Sequence, residues 1–244
     1  MMSSTQTLPS DFAINATPRI QVEYIGPDKV PLITIDDVTT DDGRALIAHA
    51  LDAAFEPEAS FMYPGVRAPL PADYVVQVLR PAIMGLYQLY AIPTQKKLQP
   101  QQAVFSLITR REDELSLMQT VPHFDTPDPH FFAALHYLSE GEHGGTGFFQ
   151  HRPTGLYAVT GETEQRYFDS VRAHFDRHGT PPQRYLTESD DQYRLYHKVD
   201  YKPNRLVIYP GNLLHSTLID RDSDISGDPV AGRLTANIFL RFTH

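Results

Sequence analysis

The sequence predicts a single domain of the α+β class, with helices packed on one face of a largely antiparallel β core. Three observations point that way. The chain has 244 residues, a length that one large domain accommodates. Its first hundred residues hold segments with apolar residues at helical spacing. From residue 102 onward the period changes to short aromatic and β-branched runs bounded by Gly or Pro.

Taken in order, residues 1–19 read as a loose, flexible N-terminal segment. Residues 20–100 read as a helical support region. Within it "PLITIDDV" (31–38) is a strand that leads into a helix over 39–55, which carries acidic residues in its first turn. "MYPGVRAPLP" (62–71) is rich in turn formers and reads as a loop. The helix over 72–90 should break at Pro81, which lacks the backbone donor. Residues 101–244 form the β core, with strands over 102–110, 131–139, 145–151, 205–211 and 233–242. Residues 156–203 read as an insertion carrying one helix, over 162–179.

Composition narrows the function. A formal net charge of −9 disfavours a nucleic-acid partner, since phosphate binding needs a basic surface. The absence of cysteine excludes disulfides, thiolate metal sites and cysteine nucleophiles, and fits a cytoplasmic location. No apolar run is long enough to span a membrane, so no membrane partner is expected.

The tripeptide His-Phe-Asp occurs twice, at 123–125 and at 174–176. The second copy falls in the 162–179 helix. Residues two apart on a helix point about 200° away from each other, so His174 and Asp176 cannot meet one ion. The first copy follows Pro122 and precedes "TPDP", which favours extended backbone. Residues i and i+2 of an extended segment share a side, so His123 and Asp125 can. Two histidines and one carboxylate on one face of a metal are the donor set of non-haem Fe(II) oxygenases. "NRLVIYPGNLLHSTLI" (204–219) supplies a second histidine, His215, from a distant strand. Arg233 opens the last strand, with Thr235 on its face, and suits the remote carboxylate of a 2-oxo acid.

These residues resemble a known family. "HFD", "HYL…GGTGFF", "NRLVIYPGNLLHS" and "GRLTANIF" stand in the order found in the prolyl 4-hydroxylase-like branch of Fe(II)/2-oxoglutarate-dependent oxygenases. The resemblance covers about half of the chain. It implies a double-stranded β-helix, a jelly-roll or cupin-like core. It implies that His123, Asp125 and His215 are catalytic iron ligands, and that Arg233, Tyr137 and Thr235 hold 2-oxoglutarate. The cofactors expected are Fe(II), 2-oxoglutarate and O₂, with succinate and CO₂ as coproducts. The expected function is hydroxylation of a small organic substrate such as an amino acid or natural-product intermediate. Two alternatives stand beside it: a prolyl-type protein hydroxylase, and a non-catalytic sensor of metal or 2-oxoglutarate.

Other motifs read more plainly. His130, His136, His143 and His151 crowd the first copy, and each reads as structural or exposed. "DRDSDISGDPVA" (220–231) makes the gap from His215 to Arg233 long, and reads as a loop insertion. Its Asp220, Asp222 and Asp224 imitate a calcium loop but lack the glycine and glutamate that such a loop needs, so a solvated loop is expected.

Overall fold

The computed structural model describes residues 12–57 and 62–244. Most of residues 1–19 lies outside this range. From Phe12 onward the chain is tied down rather than loose. Phe12 is buried against Tyr74, and Ile14 forms a bridge with Thr39.

Among the described residues there are eleven strands and four α-helices. The strands are β1 (Arg19–Ile25), β2 (Val30–Asp36), β3 (Glu56–Pro57), β4 (Gly65–Pro69), β5 (Lys97–Ile108), β6 (Phe131–Tyr137), β7 (Thr146–His151), β8 (Tyr193–Val199), β9 (Arg205–Pro210), β10 (His215–Thr217) and β11 (Thr235–Thr243). The helices are α1 (Arg44–Leu51), α2 (Ala72–Leu79), α3 (Ile83–Leu89) and α4 (Glu164–His178). The named strand pairs are antiparallel. They make an eight-stranded sheet, β1-β2-β9-β6-β11-β5-β4-β3, and a three-stranded sheet, β10-β7-β8. From β5 onward the chain passes repeatedly between the two sheets.

Alternation along the central strands decides which residues meet what. On β6, Phe132 and Ala134 join the core formed with α1, α2 and α3, whereas Ala133, Leu135 and Tyr137 join the core shared with the small sheet. The same split puts Leu206 and Ile208 of β9 on the helices and Val207 and Tyr209 on the inside. Both faces of these strands are buried, which explains their nearly continuous apolar runs. His136 faces the helices, as its neighbour relation to Tyr137 requires. Its Nδ1 accepts from the Tyr74 hydroxyl at 2.7 Å and its Nε2 donates to Asn204 Oδ1 at 3.2 Å. Burial holds its pKa down at about 4, so it is a neutral structural link.

Several elements differ from expectation. Helix α1 starts at Arg44 rather than at 39, because Asp41 accepts hydrogen bonds from the Gly43 and Ala45 amides and holds 39–43 in a turn. The helix over 72–90 does break at Pro81, into α2 and α3. The region 20–100 is not purely helical, since β1 to β4 extend the large sheet at both ends. The segment 156–203 carries α4, but it also supplies β8, the outer strand of the small sheet.

An ion network around the buried Asp36 carboxylate joins β2 to β9. Asp36 accepts from Arg205 at 2.6 Å and from Lys202 at 3.0 Å, with Arg19 at 3.1 Å. Burial by itself raises the Asp36 pKa, but the hydrogen bonds and charges of Arg205 and Lys202 outweigh it and hold the pKa at about 2. A carboxylate depressed in the folded state stabilises the fold above its unfolded pKa and loses that contribution as pH falls toward the folded value. The wild type is therefore expected to lose stability from this group between about pH 4 and pH 2, on the order of 1 kcal/mol once solvent screening of its exposed partners is allowed for. Asp36→Asn should lack that component, so the stability gap between the two proteins should shrink over this window in denaturant titrations. A constant gap would show that the network does not carry the effect. Among the described residues no helix is long and apolar enough to cross a membrane.

Candidate metal centre

The extended segment after β5 carries the first His-Phe-Asp copy into the mouth between the two sheets. It is held by its backbone. His123 and His215 exchange N–H···O=C bonds of 2.9 and 2.8 Å, and the Asp125 amide donates to Gly211 carbonyl at 2.7 Å. His215 itself lies on β10, opposite Phe148 of β7. β10 of the small sheet, which pairs with His123, and the turn after β9, which holds Asp125, thus bring the three side chains to one point. His123 Nε2 is 3.8 Å and His215 Nε2 3.9 Å from Asp125 Oδ1, and one ligand atom from each residue lies within 4.8 Å of the others. Among the described residues this is the group of three that could hold a metal ion. His174 and Asp176 take no part in it and sit on α4.

Details of the donors fit a cation. His215 Nδ1 donates to the Leu213 carbonyl at 2.8 Å, which leaves the Nε2 lone pair facing Asp125. Asp125 Oδ2 is buried and has no hydrogen-bond partner. Such an orphaned carboxylate oxygen is costly unless something positive meets it. Burial raises the Asp125 pKa, with the charges of His215 and Arg67 opposing, and a bound dication reverses such a rise. The His123 ring borders the cavity. Burial, then His215 and Arg67, hold its pKa well below the ordinary value, so it stays neutral, as a metal ligand must be. Tyr209 packs edge-on behind His215 at 4.9 Å between ring centres.

Gly211 shows why the "YPGN" turn needs its glycine. A Cβ there would lie 2.8 Å from Asp125 Oδ2 and 2.7 Å from the Phe131 ring. Gly211→Ala should leave the fold standing but push the carboxylate aside, weakening metal affinity by about ten- to a hundredfold, the size of a disturbed supporting contact. Calorimetric titration with Fe(II) measures this, and unchanged affinity would mean that Asp125 is not a ligand.

A cavity of about 390 Å³ opens over the three side chains. Thr146 of β7 lies on its wall, and beyond Thr146 the cosubstrate candidates come together. The Tyr137 and Thr146 hydroxyls are 2.7 Å apart. The Arg233 guanidinium is 5.3 Å from the Tyr137 ring centre and 5.7 Å from that of Tyr201. Arg233 is buried; its Nε donates to the Gly144 carbonyl at 2.6 Å, and its Nη2 has no partner. Thr235 pairs across the sheet with Tyr137 on one side and Ser106 on the other. The Ser106 hydroxyl and Asn237 Oδ1 are also buried without partners. Thr146, Ser106 and Asn237 escaped the sequence reading. Asn237 shares the inward phase of Thr235, and Thr146 sits inside the quoted "GGTGFF"; those were the available signals.

The expected solvated loop over 220–228 is corrected at one residue. Asp224 is fully buried. It contacts His143 Nδ1 at 2.9 Å and accepts from the Gly144 and Asp220 amides. Its oxygens are already engaged, which is unlike a calcium cage. His151 is likewise structural, buried between Thr154 and Gln192, and His130 contacts Lys96.

Residues 16–240 match a family of unknown function, DUF6445. No curated protein gives a significant match. Among solved structures the chain is similar to HygX from Streptomyces hygroscopicus with nickel, 2-oxoglutarate and hygromycin B bound. The TM-score is 0.51 at 11% identity, over 88% of this chain and 83% of that one. The fold is therefore that of HygX. Two further similar structures are the non-heme alpha ketoglutarate dependent epimerase SnoN from nogalamycin biosynthesis and a Pseudomonas putida prolyl-4-hydroxylase. SnoN gives a TM-score of 0.46 at 16% identity, over 86% of this chain and 78% of that one. The hydroxylase gives 0.40 at 12%, over 93% and 92%.

Proposed function

We propose that this chain, which belongs to the DUF6445 family, is an Fe(II)- and 2-oxoglutarate-dependent oxygenase that hydroxylates a small organic substrate, built on a double-stranded β-helix. The observation that carries this reading is the convergence of His123, Asp125 and His215 with a buried, unpartnered Asp125 oxygen, beside a buried arginine that keeps one unpartnered nitrogen. HygX, whose fold this chain shares, binds nickel and 2-oxoglutarate.

His123, Asp125 and His215, which line the cavity, would hold the iron. Bound there, Fe(II) supplies oxidative decarboxylation of 2-oxoglutarate by O₂, to succinate and CO₂, coupled to hydroxylation of a substrate C–H bond. The protein's own part is placement. Arg233 pairs with the remote carboxylate of the cosubstrate, and a guanidinium suits it because its fork matches two carboxylate oxygens. Thr146 and Tyr137 offer hydroxyls along the way, and Thr235 stands in the same row. Phe131 and Phe239, with ring centres 6.0 Å apart, line the cavity and give it an apolar wall. A carboxylate at position 125 fills the place that a halide would need, which favours hydroxylation over halogenation. The cavity volume suits a small molecule.

The test is Fe(II)-dependent formation of succinate from 2-oxoglutarate, followed with and without a panel of amino acids and other carboxylates. The reading predicts slow basal turnover that rises with a suitable compound. Absence of both turnover and Fe(II)-dependent 2-oxoglutarate binding would overturn it.

A further inference from the structure

The cavity has a second cationic side, on the wall away from Arg233. Arg67 stands on β4 opposite Ser106, so it shares the inward row of Thr235 and Tyr137. Its side chain leaves that row and leans toward the mouth. The guanidinium lies 4.2 Å from the Tyr63 ring centre and 5.9 Å from that of Phe239, with Nη1 at 3.5 Å from Gln102. Phe239 and Gln102 pair with each other four residues along β11 and β5 from Thr235 and Ser106. Arg67 and Arg233 therefore serve different regions, one at the mouth and one beyond Thr146. Arg67 is near enough to the centre for its charge to act on both His123 and Asp125.

Gln119 adds a fixed donor on the same cavity wall. Its Oε1 accepts from the Ser116 amide at 2.8 Å and from Arg110 at 3.5 Å. Both partners are donors, so the atom they meet must be the oxygen, and the amide cannot be turned over. The Nε2 group that this fixes is buried and has no partner, on a residue only 8% exposed. A buried donor without an acceptor is costly. An acceptor carried by a ligand removes that cost. Among the described residues of the wall Asp125 is the acid, and it belongs to the metal set. Around these groups the wall is apolar, with Met118, Phe131 and Phe239.

We infer that the substrate carries a carboxylate, received by Arg67 and the Gln119 side-chain amide, on an apolar body that lies against Phe131 and Phe239. This inference rests on the oxygenase reading for the word substrate, while the binding preference it states can be measured without turnover. A planar guanidinium and an amide N–H together discriminate a carboxylate from a neutral amide of the same shape.

The probes are phenylalkanoates and straight-chain alkanoates of graded length, each compared with its primary amide. Binding is measured by calorimetry under anaerobic conditions, on the protein alone and on the protein carrying Fe(II) and saturating 2-oxoglutarate. At least one acid is expected to bind about ten- to a hundredfold more tightly than its amide, the range of a charge-assisted contact. Arg67→Gln should bring that preference close to unity, Arg67→Lys should keep part of it, and Gln119→Leu should reduce it. Circular dichroism of each variant shows whether it folds, and Arg67→Lys keeps the charge should Arg67→Gln misfold. The affinity for 2-oxoglutarate should be unchanged in Arg67→Gln. If no acid is preferred to its amide, or if the preference survives in Arg67→Gln, the inference is overturned. Loss of 2-oxoglutarate binding in Arg67→Gln would also overturn it, by making Arg67 the cosubstrate seat. A protein that prefers acids but neither binds nor consumes 2-oxoglutarate would retain the inference and lose the oxygenase reading.

Discussion

Replacing His123, Asp125 or His215 by alanine is expected to abolish Fe(II)-dependent turnover of 2-oxoglutarate while the fold persists. The segment that carries these residues is held by backbone bonds, His123 to His215 and Asp125 to Gly211, and alanine keeps all of them. The side chains differ in what they give the fold: His215 is buried, bonded to the Leu213 carbonyl and packed on Tyr209, so His215→Ala should cost some stability without unfolding the protein. The Asp125 carboxylate is held in a buried place where it lacks a partner for one oxygen, so its removal should not destabilise the protein. The metal is another matter. Disturbing a supporting contact of a ligand costs about ten- to a hundredfold in affinity, so loss of a ligand should cost more than about a hundredfold. Anaerobic calorimetry with Fe(II) reads the affinity, and circular dichroism reads the fold. His174→Ala and Asp176→Ala are the controls, since that copy of His-Phe-Asp lies on α4 and both variants should bind iron like the wild type. Should His174→Ala be the variant that loses iron, the assignment of the centre is wrong.

Arg233→Ala should weaken 2-oxoglutarate binding by about ten- to a thousandfold and leave iron affinity nearly unchanged. A charge-assisted pair contributes roughly 1.5–3 kcal/mol, and leaving a buried charge without its partner raises the loss to about 3–5 kcal/mol. At about 1.4 kcal/mol per tenfold these figures span that range. The geometry supports the arginine in this role. Its Nε is tied to the Gly144 carbonyl while Nη2 is buried and unpartnered, so the side chain is both fixed and unsatisfied. Arg233→Lys should recover only part of the loss, because an ammonium cannot keep the Gly144 bond and still present a fork to a carboxylate. Titrating 2-oxoglutarate into the anaerobic Fe(II) protein measures each constant, and an unchanged value in Arg233→Ala would assign the task to another cation.

The parts legible in the sequence were those fixed by short-range pattern. β6 and β9 announce themselves by nearly continuous apolar runs, because both of their faces are buried, and β11 by its aromatic and β-branched residues. The sequence's preference for the first His-Phe-Asp copy drew on backbone period, on the flanking prolines, and on His215 and Arg233 further along the chain. What stayed hidden depends on partners far along the chain. β4 lies in a Gly- and Pro-rich stretch that reads as a turn, and it becomes a strand only because β5 is there to pair with it. β8 alternates weakly, since it is the outer strand of the small sheet and keeps exposed positions. β10 has three residues, too few for any period. Gln119 looks like an ordinary polar residue until Arg110 and Ser116 are seen to fix its oxygen. Asp224 sits among exposed acids in sequence, and its burial follows from His143, which lies 81 residues earlier.

That aspartate ties two distant parts of the chain into one inheritable unit. Asp224 grips the Gly144 amide, and the Gly144 carbonyl grips Arg233. Gly144 cannot be exchanged to loosen the arrangement, because a Cβ there would fall 1.6 Å from the Leu218 carbonyl oxygen. The long stretch between His215 and Arg233 is thus no neutral spacer whose length can drift. A relative that shortens it loses the aspartate and must re-anchor its arginine by other means. Deletions in this stretch should therefore be tolerated only in company with a change at His143, and a designer who trims the loop for compactness would be cutting what holds Gly144 and, through it, Arg233.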